Sequence, residues 1–345
     1  MIRTWIKSGM AWSRRTTIVS SIIAVVAVLL LLIMANFDHL SSLVGAPRGK
    51  QLKLADIPFN GERAYKHLCD ICSIGPRISG SKGMLEQQAL ITEHFESLGA
   101  KVTPQELFIR HPETGERTRL ANLIVEFHPD RKDRILLCAH YDTRPYPDED
   151  PDPAKRRDPF LGANDGASGT ALLMELGTHL VDFPSKCGVD IVLFDAEELV
   201  YDRQRDKYFI GSEHFAREYV TNPPLHKYRC GVLLDMVGDK ELHLYQERNS
   251  VYLKEARPIT RGIWATAAKL GVSEFIPRTR HEVRDDHLPL NNIARIPTCD
   301  IIDFDYPRPG PVNYWHTTRD VPENCSALSL AKVGWVLHEW LKEQK

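Results

Sequence analysis

Apolar and polar residues follow one another along this chain with two spacings, one typical of helices and one typical of strands. The helical spacing predicts helices over Gly61–Ile74, Ala89–Leu98, Gly166–Val181, Gly211–Tyr219 and Leu328–Glu343. Extended or continuous apolar runs predict strands over Lys101–Ile109, Leu120–Phe127, Arg134–Cys138, Val189–Phe194 and Gly231–Asp235. Helices and strands mixed in this way indicate an α/β sheet.

These apolar segments form one continuous series between residues 61 and 343. The sequence shows no repeat, no low-complexity tract and no sign of a second hydrophobic core. We therefore predict one folded domain over residues 60–345. Residues 38–59 carry Ser, Gly, Pro and mixed charge without periodicity, which is typical of a linker.

An uncharged, strongly apolar run covers Thr16–Phe37. About 20 apolar residues at ~1.5 Å each cross a hydrocarbon layer of ~30 Å, so the run predicts a single transmembrane helix. Basic residues in 1–15 predict that this short segment is cytoplasmic and that the domain after the helix lies outside the cytoplasm. A cleaved signal peptide is the alternative, but the run exceeds the ~7–15 residues of a signal-peptide apolar core.

Charge and cysteine content narrow the functional class. The 345 residues carry a net charge of -2, so no basic excess is present to neutralise phosphates and a nucleic-acid partner is not expected. Seven cysteines, an odd number, do not make a disulfide scaffold. We interpret Cys69 and Cys72 as two cysteines on one face of a helix, although a disulfide between them in an oxidising compartment stays open.

Several residues suited to metal binding or proton transfer lie near the ends of predicted elements. They are His140 in LLCAHYDT, Asp165 in GANDG, Glu197 and Glu198 in FDAEE, Asp235 in VLLDMVG, and His316 in YWHTTRD. Taken singly, a histidine at a strand end is more often structural, and an aspartate before a glycine-rich turn is more often a helix cap. Together they indicate a site, because residues beyond the carboxyl ends of strands converge on one crevice.

The adjacent carboxylates of Glu197 and Glu198 are the most unusual members of this set. Two carboxylates at the end of an apolar strand resist burial unless a cation compensates them. Imidazole and carboxylate ligands together favour zinc over calcium or magnesium, and the absence of thiolates favours a catalytic site over a structural one. The proline-rich, mixed-charge run Asp148–Asp158 is predicted to be a solvated loop at the rim of this site.

At these residues the sequence resembles the zinc aminopeptidase and glutaminyl cyclase family, from about Gly75 to the C-terminus. The motifs that carry the resemblance are IGPRISGS (Ile74–Ser81), AHYDT (Ala139–Thr143), GANDGASG (Gly162–Gly169), FDAEE (Phe194–Glu198), LLDMVG (Leu233–Gly238) and WHT (Trp315–Thr317). The resemblance implies a single three-layer α/β domain with a mixed, mostly parallel sheet flanked by helices. It also implies an enzyme that acts on the N-termini of peptides.

The resemblance further implies a ligand set. A first zinc would be held by Asp165, Glu198 and His316. A second zinc, which the sequence leaves open, would be held by His140 and Asp235 with Asp165 as the bridging ligand. Glu197 would carry protons in either a cyclase or an aminopeptidase reaction.

Other residues separate the two reactions. DDHLPL, which begins at Asp285, is similar to glutaminyl cyclases; by this likeness Asp285 would hydrogen-bond with Glu197 and Asp235, and Trp315 would line the substrate pocket. GANDGASG is closer to the aminopeptidases, and Tyr201–Arg203 stands where the cyclases carry a second pocket tryptophan. We favour the cyclase, with a two-zinc aminopeptidase as the alternative. A non-catalytic, membrane-anchored binding protein is disfavoured because the ligand set is intact.

Overall fold

A six-stranded mixed sheet lies at the centre of the part of the chain that the computed structural model describes, residues 52–344. Its strands are β1 (Lys101–Arg110), β2 (Arg117–Phe127), β3 (Asp133–His140), β4 (Gly188–Phe194), β5 (Lys227–Asp235) and β8 (Thr298–Ile302), in the order β1-β2-β4-β3-β5-β8. The β1–β2 and β2–β4 pairs are antiparallel, whereas β4–β3, β3–β5 and β5–β8 are parallel. The mixed, mostly parallel sheet is thus confirmed.

Helices cover both faces of this sheet. The α-helices are α1 (Gly61–Ser73), α2 (Lys82–Ser97), α3 (Ala167–Leu180), α4 (Ile210–Thr221), α5 (Arg248–Tyr252), α6 (Arg257–Leu270), α7 (His287–Pro289) and α8 (Ala327–Lys342), and a π-helical turn follows α7 at Leu290–Ala294. Side chains on β3 alternate between two cores: Leu137 packs under α1, α3 and α8, while Leu136 packs with Phe215 of α4. Two cores on opposite faces make the three layers that the resemblance implied.

Each helix and strand predicted from apolar spacing is present, with ends that differ by a few residues in most cases. The largest difference is at α2, which begins at Lys82 after the Ser81 cap. The stretch 244–302 holds elements that apolar spacing did not predict: β6 (Leu244–Glu247), β7 (Phe275–Arg280), α6 and β8. In β8 the buried Asp300 interrupts the apolar run that would otherwise mark a central strand.

The folded part begins earlier than residue 60. Ile57 and Phe59 are buried in the core, so at least the end of the predicted linker packs on the domain. The predicted transmembrane helix at 16–37 and the segment 1–15 lie outside the described residues. Within 52–344, no helix has the length and apolar character needed to cross a membrane.

Candidate active site

The ends of adjacent strands bring the candidate residues together. His140 is the last residue of β3 and Asp235 is the last residue of the neighbouring parallel strand β5. Glu197 and Glu198 follow β4, which pairs with the other edge of β3. The strands therefore deliver these side chains to one end of the sheet, as expected for an α/β fold.

Unusual backbone turns aim the side chains at this end of the sheet. Ala196, just before the glutamate pair, has φ 56°, and Met236, just after Asp235, has φ 45°. His316 itself has φ 114°. Residues other than glycine seldom adopt positive φ, and such strain of order 1–3 kcal/mol persists where the surrounding structure fixes the conformation, often at functional sites. Three such residues, one a candidate ligand and two directly beside candidate site residues, therefore indicate a functional site.

Asp165 lies at the centre of the cluster, with each of its oxygens close to a different imidazole. Its Oδ1 is 3.2 Å from His140 Nε2, and its Oδ2 is 3.0 Å from His316 Nε2. His140 Nε2 is also 3.2 Å from Asp235 Oδ1, and His316 Nε2 is 3.3 Å from Glu198 Oε2. We call Asp165, Glu198 and His316 the first ligand group, and His140, Asp165 and Asp235 the second ligand group; within each, the potential ligand atoms lie within 4.8 Å of one another.

Negative charge is concentrated in this buried cluster. Burial and the neighbouring Asp165 raise the pKa of Glu198 to about 7, against the opposing effect of His316. Burial lowers the pKa of His316, but hydrogen bonds and charge from Asp165 and Glu198 outweigh burial and raise it to about 9. Burial also raises the pKa of Asp165, but its hydrogen bonds to His140 and His316 outweigh burial and lower it. The buried group thus holds a proton on an imidazole and still leaves one carboxylate that resists ionisation. A divalent cation would remove this conflict.

The donor set fits zinc. Each ligand group offers one imidazole nitrogen and two carboxylates, and the side chains are buried or nearly so. Zinc accepts nitrogen and oxygen ligands in four-coordinate sites, and a catalytic zinc keeps a position open for water or substrate. Three protein ligands in the first ligand group leave such a position.

Sequence reasoning missed two carboxylates that accept hydrogen bonds from the backbone of the segments that carry the candidate ligands. Asp142 accepts hydrogen bonds from the backbone N–H of Glu197 and of Glu198, both at 3.1 Å, and its Oδ1 lies 3.6 Å from His140 Nδ1. Asp320 accepts from the backbone N–H of Asp165 at 3.1 Å. Both residues lie inside or next to the quoted motifs AHYDT and WHT, so their position in the sequence was the available signal.

A cavity of about 410 Å³ opens onto the cluster. Glu197, Asp285 and Trp315 all line it, together with Phe304 and Tyr208. The Trp315 ring stacks on the His316 imidazole with centroids 3.9 Å apart, so one face of the cavity is an aromatic wall in contact with a candidate ligand.

Asp285 reaches the cavity wall from the loop before α7. Instead of the hydrogen bonds to Glu197 and Asp235 that the resemblance implies, its Oδ1 accepts from the backbone N–H of Asp286, and its Oδ2 has no partner among the described residues. Burial and the charge of Asp235 raise the pKa of Asp285 well above its usual range. Behind it, His287 and Asp300 complete a buried group that sequence reasoning did not predict.

Comparison with known proteins places this geometry in a family. Residues 122–341 match the family described as Peptidase family M28. The chain belongs to peptidase family M28. The matched range contains every candidate ligand. The likeness to glutaminyl cyclase and zinc exopeptidase structures shows that this chain is an enzyme.

Solved structures similar to this M28 chain include two enzyme types. A glutaminyl cyclase from Fimbriiglobus ruber is 38% identical, with a TM-score of 0.78 over 87% of this chain and 99% of that one. A Zn-dependent exopeptidase from Parabacteroides distasonis is 32% identical, with a TM-score of 0.76 over 83% and 99%. Among curated relatives, the glutaminyl-peptide cyclotransferase of Drosophila melanogaster is 23% identical over 276 residues, covering 74% of this chain and 73% of that protein.

Proposed function

We propose that this M28 enzyme is a zinc-dependent glutaminyl-peptide cyclotransferase, which converts an N-terminal glutamine to pyroglutamate and releases ammonia. The observation that carries the proposal is the cavity wall, where Asp285 of the cyclase-like DDHLPL motif stands with Glu197 and Trp315 around the first ligand group. The likeness to a glutaminyl cyclase at 38% identity over 87% of the chain supports the same choice.

In this reaction the α-amine nitrogen attacks the side-chain amide carbon, and the bond from that carbon to the amide nitrogen breaks. When bound by the first ligand group, zinc would polarise the amide carbonyl. Glu197 takes a proton from the attacking amine and delivers it to the departing nitrogen, which leaves as ammonia. Burial and the charges of Glu198 and Asp285 raise the pKa of Glu197 well above its usual range, despite the opposing charge of His140, so Glu197 holds a proton more readily than an ordinary glutamate.

A two-zinc aminopeptidase is the second candidate, and the geometry at Asp165 supports it. The two oxygens of this residue face the imidazoles of both ligand groups, which is the arrangement that a bridging ligand between two metals needs. The Zn-dependent exopeptidase at 32% identity agrees with this reading. In that reaction Glu197 would take a proton from water and return it to the leaving amine.

One experiment tests the proposal and separates the two reactions. Peptides beginning with Gln, Leu or Ala are incubated with the zinc-loaded enzyme, and mass spectrometry follows the loss of ammonia or of the first residue. We expect ammonia loss from the Gln peptide only. Release of free amino acids would favour the aminopeptidase, and no reaction on any peptide would contradict both.

The proton carrier is tested by Glu197→Gln. We expect a rate loss of about 10²–10⁴-fold with zinc retained, because the proton acceptor is removed while the ligand Glu198 stays. Glu255→Gln, an identical change at an exposed position, is the control. Wild-type rates in Glu197→Gln would show that another group carries the proton.

We also propose that the enzyme is anchored by the uncharged segment Thr16–Phe37 as a single-pass membrane protein. The basic residues before this segment support a cytoplasmic N-terminus, which leaves the catalytic domain outside the cytoplasm. Peptides in that compartment would be its substrates.

A further inference from the structure

The loop that follows β3 makes several contacts with the His316 segment. The backbone N–H of Glu149 donates to the carbonyl oxygen of His316 at 3.1 Å. Asp150 accepts from the backbone N–H and the hydroxyl of Thr318, at 2.9 and 2.6 Å. Residues 151–158 of the predicted solvated rim are exposed, but Asp150 is buried and, with Glu149, binds the chain at and just after a candidate zinc ligand.

Asp148 is the member of this loop that faces the imidazole itself. Its Oδ1 lies 3.7 Å from His316 Nδ1, a buried ring nitrogen that has no hydrogen-bond partner among the described residues. The other ring nitrogen, Nε2, faces Asp165 and Glu198 of the first ligand group. A histidine that gives one nitrogen to a metal carries its proton on the other, and that proton needs an acceptor.

Two arginines fix the Asp148 carboxylate in place. Arg144 donates from Nε and from a terminal nitrogen, at 2.7 and 3.0 Å, and Arg203 donates from Nε at 2.7 Å. The backbone N–H of Arg144 also donates to Glu198 Oε1 at 2.6 Å. Arg144 therefore links the orienting carboxylate of one candidate ligand to the carboxylate of another.

We propose that Asp148 is a positioning residue for the first ligand group, which accepts the Nδ1 proton of His316 and thereby fixes the tautomer and the ring orientation for zinc. This inference rests on the zinc site of the proposed function but not on which reaction that site performs. The present separation is longer than a hydrogen bond, whose range is about 2.7–3.2 Å, so a small closure of the ring toward Asp148 is expected when Nε2 binds zinc. Such carboxylate–histidine pairs typically change metal affinity by about 10–100-fold when the carboxylate is removed.

The test is the zinc affinity of chelator-treated protein, measured by competition with a chromogenic chelator, for Asp148→Asn and two controls. Glu149→Gln makes the same change in charge on the next residue, and Arg203→Gln removes one of the two arginines that hold the Asp148 carboxylate but leaves the carboxylate itself present. We expect the zinc dissociation constant to rise about 10–100-fold in Asp148→Asn, to rise less in Arg203→Gln and to stay unchanged in Glu149→Gln. The visible absorption of Co²⁺-loaded protein should change in Asp148→Asn, since it reports the ligand field of His316.

Asp148→Glu keeps the negative charge but lengthens the side chain by one methylene, so its oxygens cannot keep their present positions relative to both Nδ1 and the two arginines. We expect its zinc affinity to lie between those of wild type and Asp148→Asn, and it decides the question if Asp148→Asn does not fold. Wild-type affinity in either Asp148 variant, or an equal loss in Arg203→Gln, would overturn the proposal. Ammonia release by the wild type tests the proposed function separately. A wild type that binds zinc but forms no pyroglutamate would contradict the cyclase proposal, and the zinc affinities of the variants would still decide the role of Asp148.

Discussion

Asp165 shows how a single residue shapes the choice between two mechanisms. Its two oxygens lie 3.2 and 3.0 Å from the imidazoles of His140 and His316, so the same side chain can complete one zinc site or bridge two. The surrounding carboxylates are buried without enough protein cations to balance them. The number of bound zinc ions therefore depends on whether zinc is held by the His316 imidazole alone or by both imidazoles.

Removing each imidazole in turn tests this point. In the cyclase, zinc depends on the first ligand group, so His316→Ala should lose its bound zinc, since the carboxylates left behind repel each other. His140→Ala should retain zinc near the wild-type amount. Elemental analysis after metal-free purification measures both.

The same measurement can contradict the assignment. Zinc retained in His316→Ala would show that the first ligand group is wrong. A wild type with two zinc ions per chain, one of which is lost in His140→Ala, would favour the aminopeptidase.

At the level of elements, the turn between the AHYDT strand and helix α3 is what brings Asp165 to His140. Gly166 caps the N-terminus of α3 with φ 95°, and a Cβ there would lie 2.6 Å from the carbonyl oxygen of Asp142 and 3.3 Å from His140 Cε1. Only glycine fits this turn, both because of its backbone angle and because the chain passes so close to the second ligand group.

Two glycine substitutions separate the cost of a left-handed backbone angle from the cost of steric crowding. Gly271→Ala, at φ 73° with open space around it, should lower the free energy of unfolding by about 1–2 kcal/mol, the cost of a left-handed residue. Gly166→Ala should cost more than Gly271→Ala and should also weaken zinc binding, because the Asp142 backbone and the His140 ring must move. Urea unfolding and zinc titration measure the two effects. Equal losses of stability with unchanged zinc affinity would show that crowding at Gly166 is relieved without cost to the site.

At the scale of the whole molecule, the candidate ligands lie at the carboxyl ends of the parallel strands, and buried contacts elsewhere in the sheet hold these strands in place. Arg134 on β3 and Asp190 on β4 form a fully buried ion pair, and the Tyr228 hydroxyl at the start of β5 donates to Asp190 at 2.6 Å. This pair fixes neighbouring strands relative to one another away from the ligand residues at their carboxyl ends. The relative position of the ligands thus depends on the whole sheet.

The proposed anchor is tested on the whole chain in cells. The full-length protein should sediment with membranes, and a version that lacks residues 1–45 should stay in the aqueous fraction, because only the first contains the uncharged segment Thr16–Phe37. Protease added to cells with a permeable outer layer should digest the catalytic domain. A domain that is digested only after lysis would contradict the orientation derived from the basic residues.

The sequence by itself determined the fold class, most of the elements and the identity of the candidate ligands. Apolar spacing marks β3, β4 and β5 because each is buried on both faces, and each is followed by a polar residue that such burial does not explain. The motifs around His140, Asp165, Glu198, Asp235 and His316 were specific enough to indicate zinc, because imidazole and carboxylate ligands together favour zinc over metals that prefer all-oxygen shells.

Only the tertiary structure decided how those residues are held. The contact of Asp148 with His316 joins residues 168 positions apart, as does the neighbouring bond from Thr318 to Asp150, and no local pattern spans such a separation. Residues 151–158 are exposed, as their prolines and mixed charges predict, but the burial of Asp150 was not foreseen, and β8 was missed because Asp300 interrupts its apolar run. In both cases a polar side chain is buried by partners distant in sequence, and local spacing carries no information about such partners.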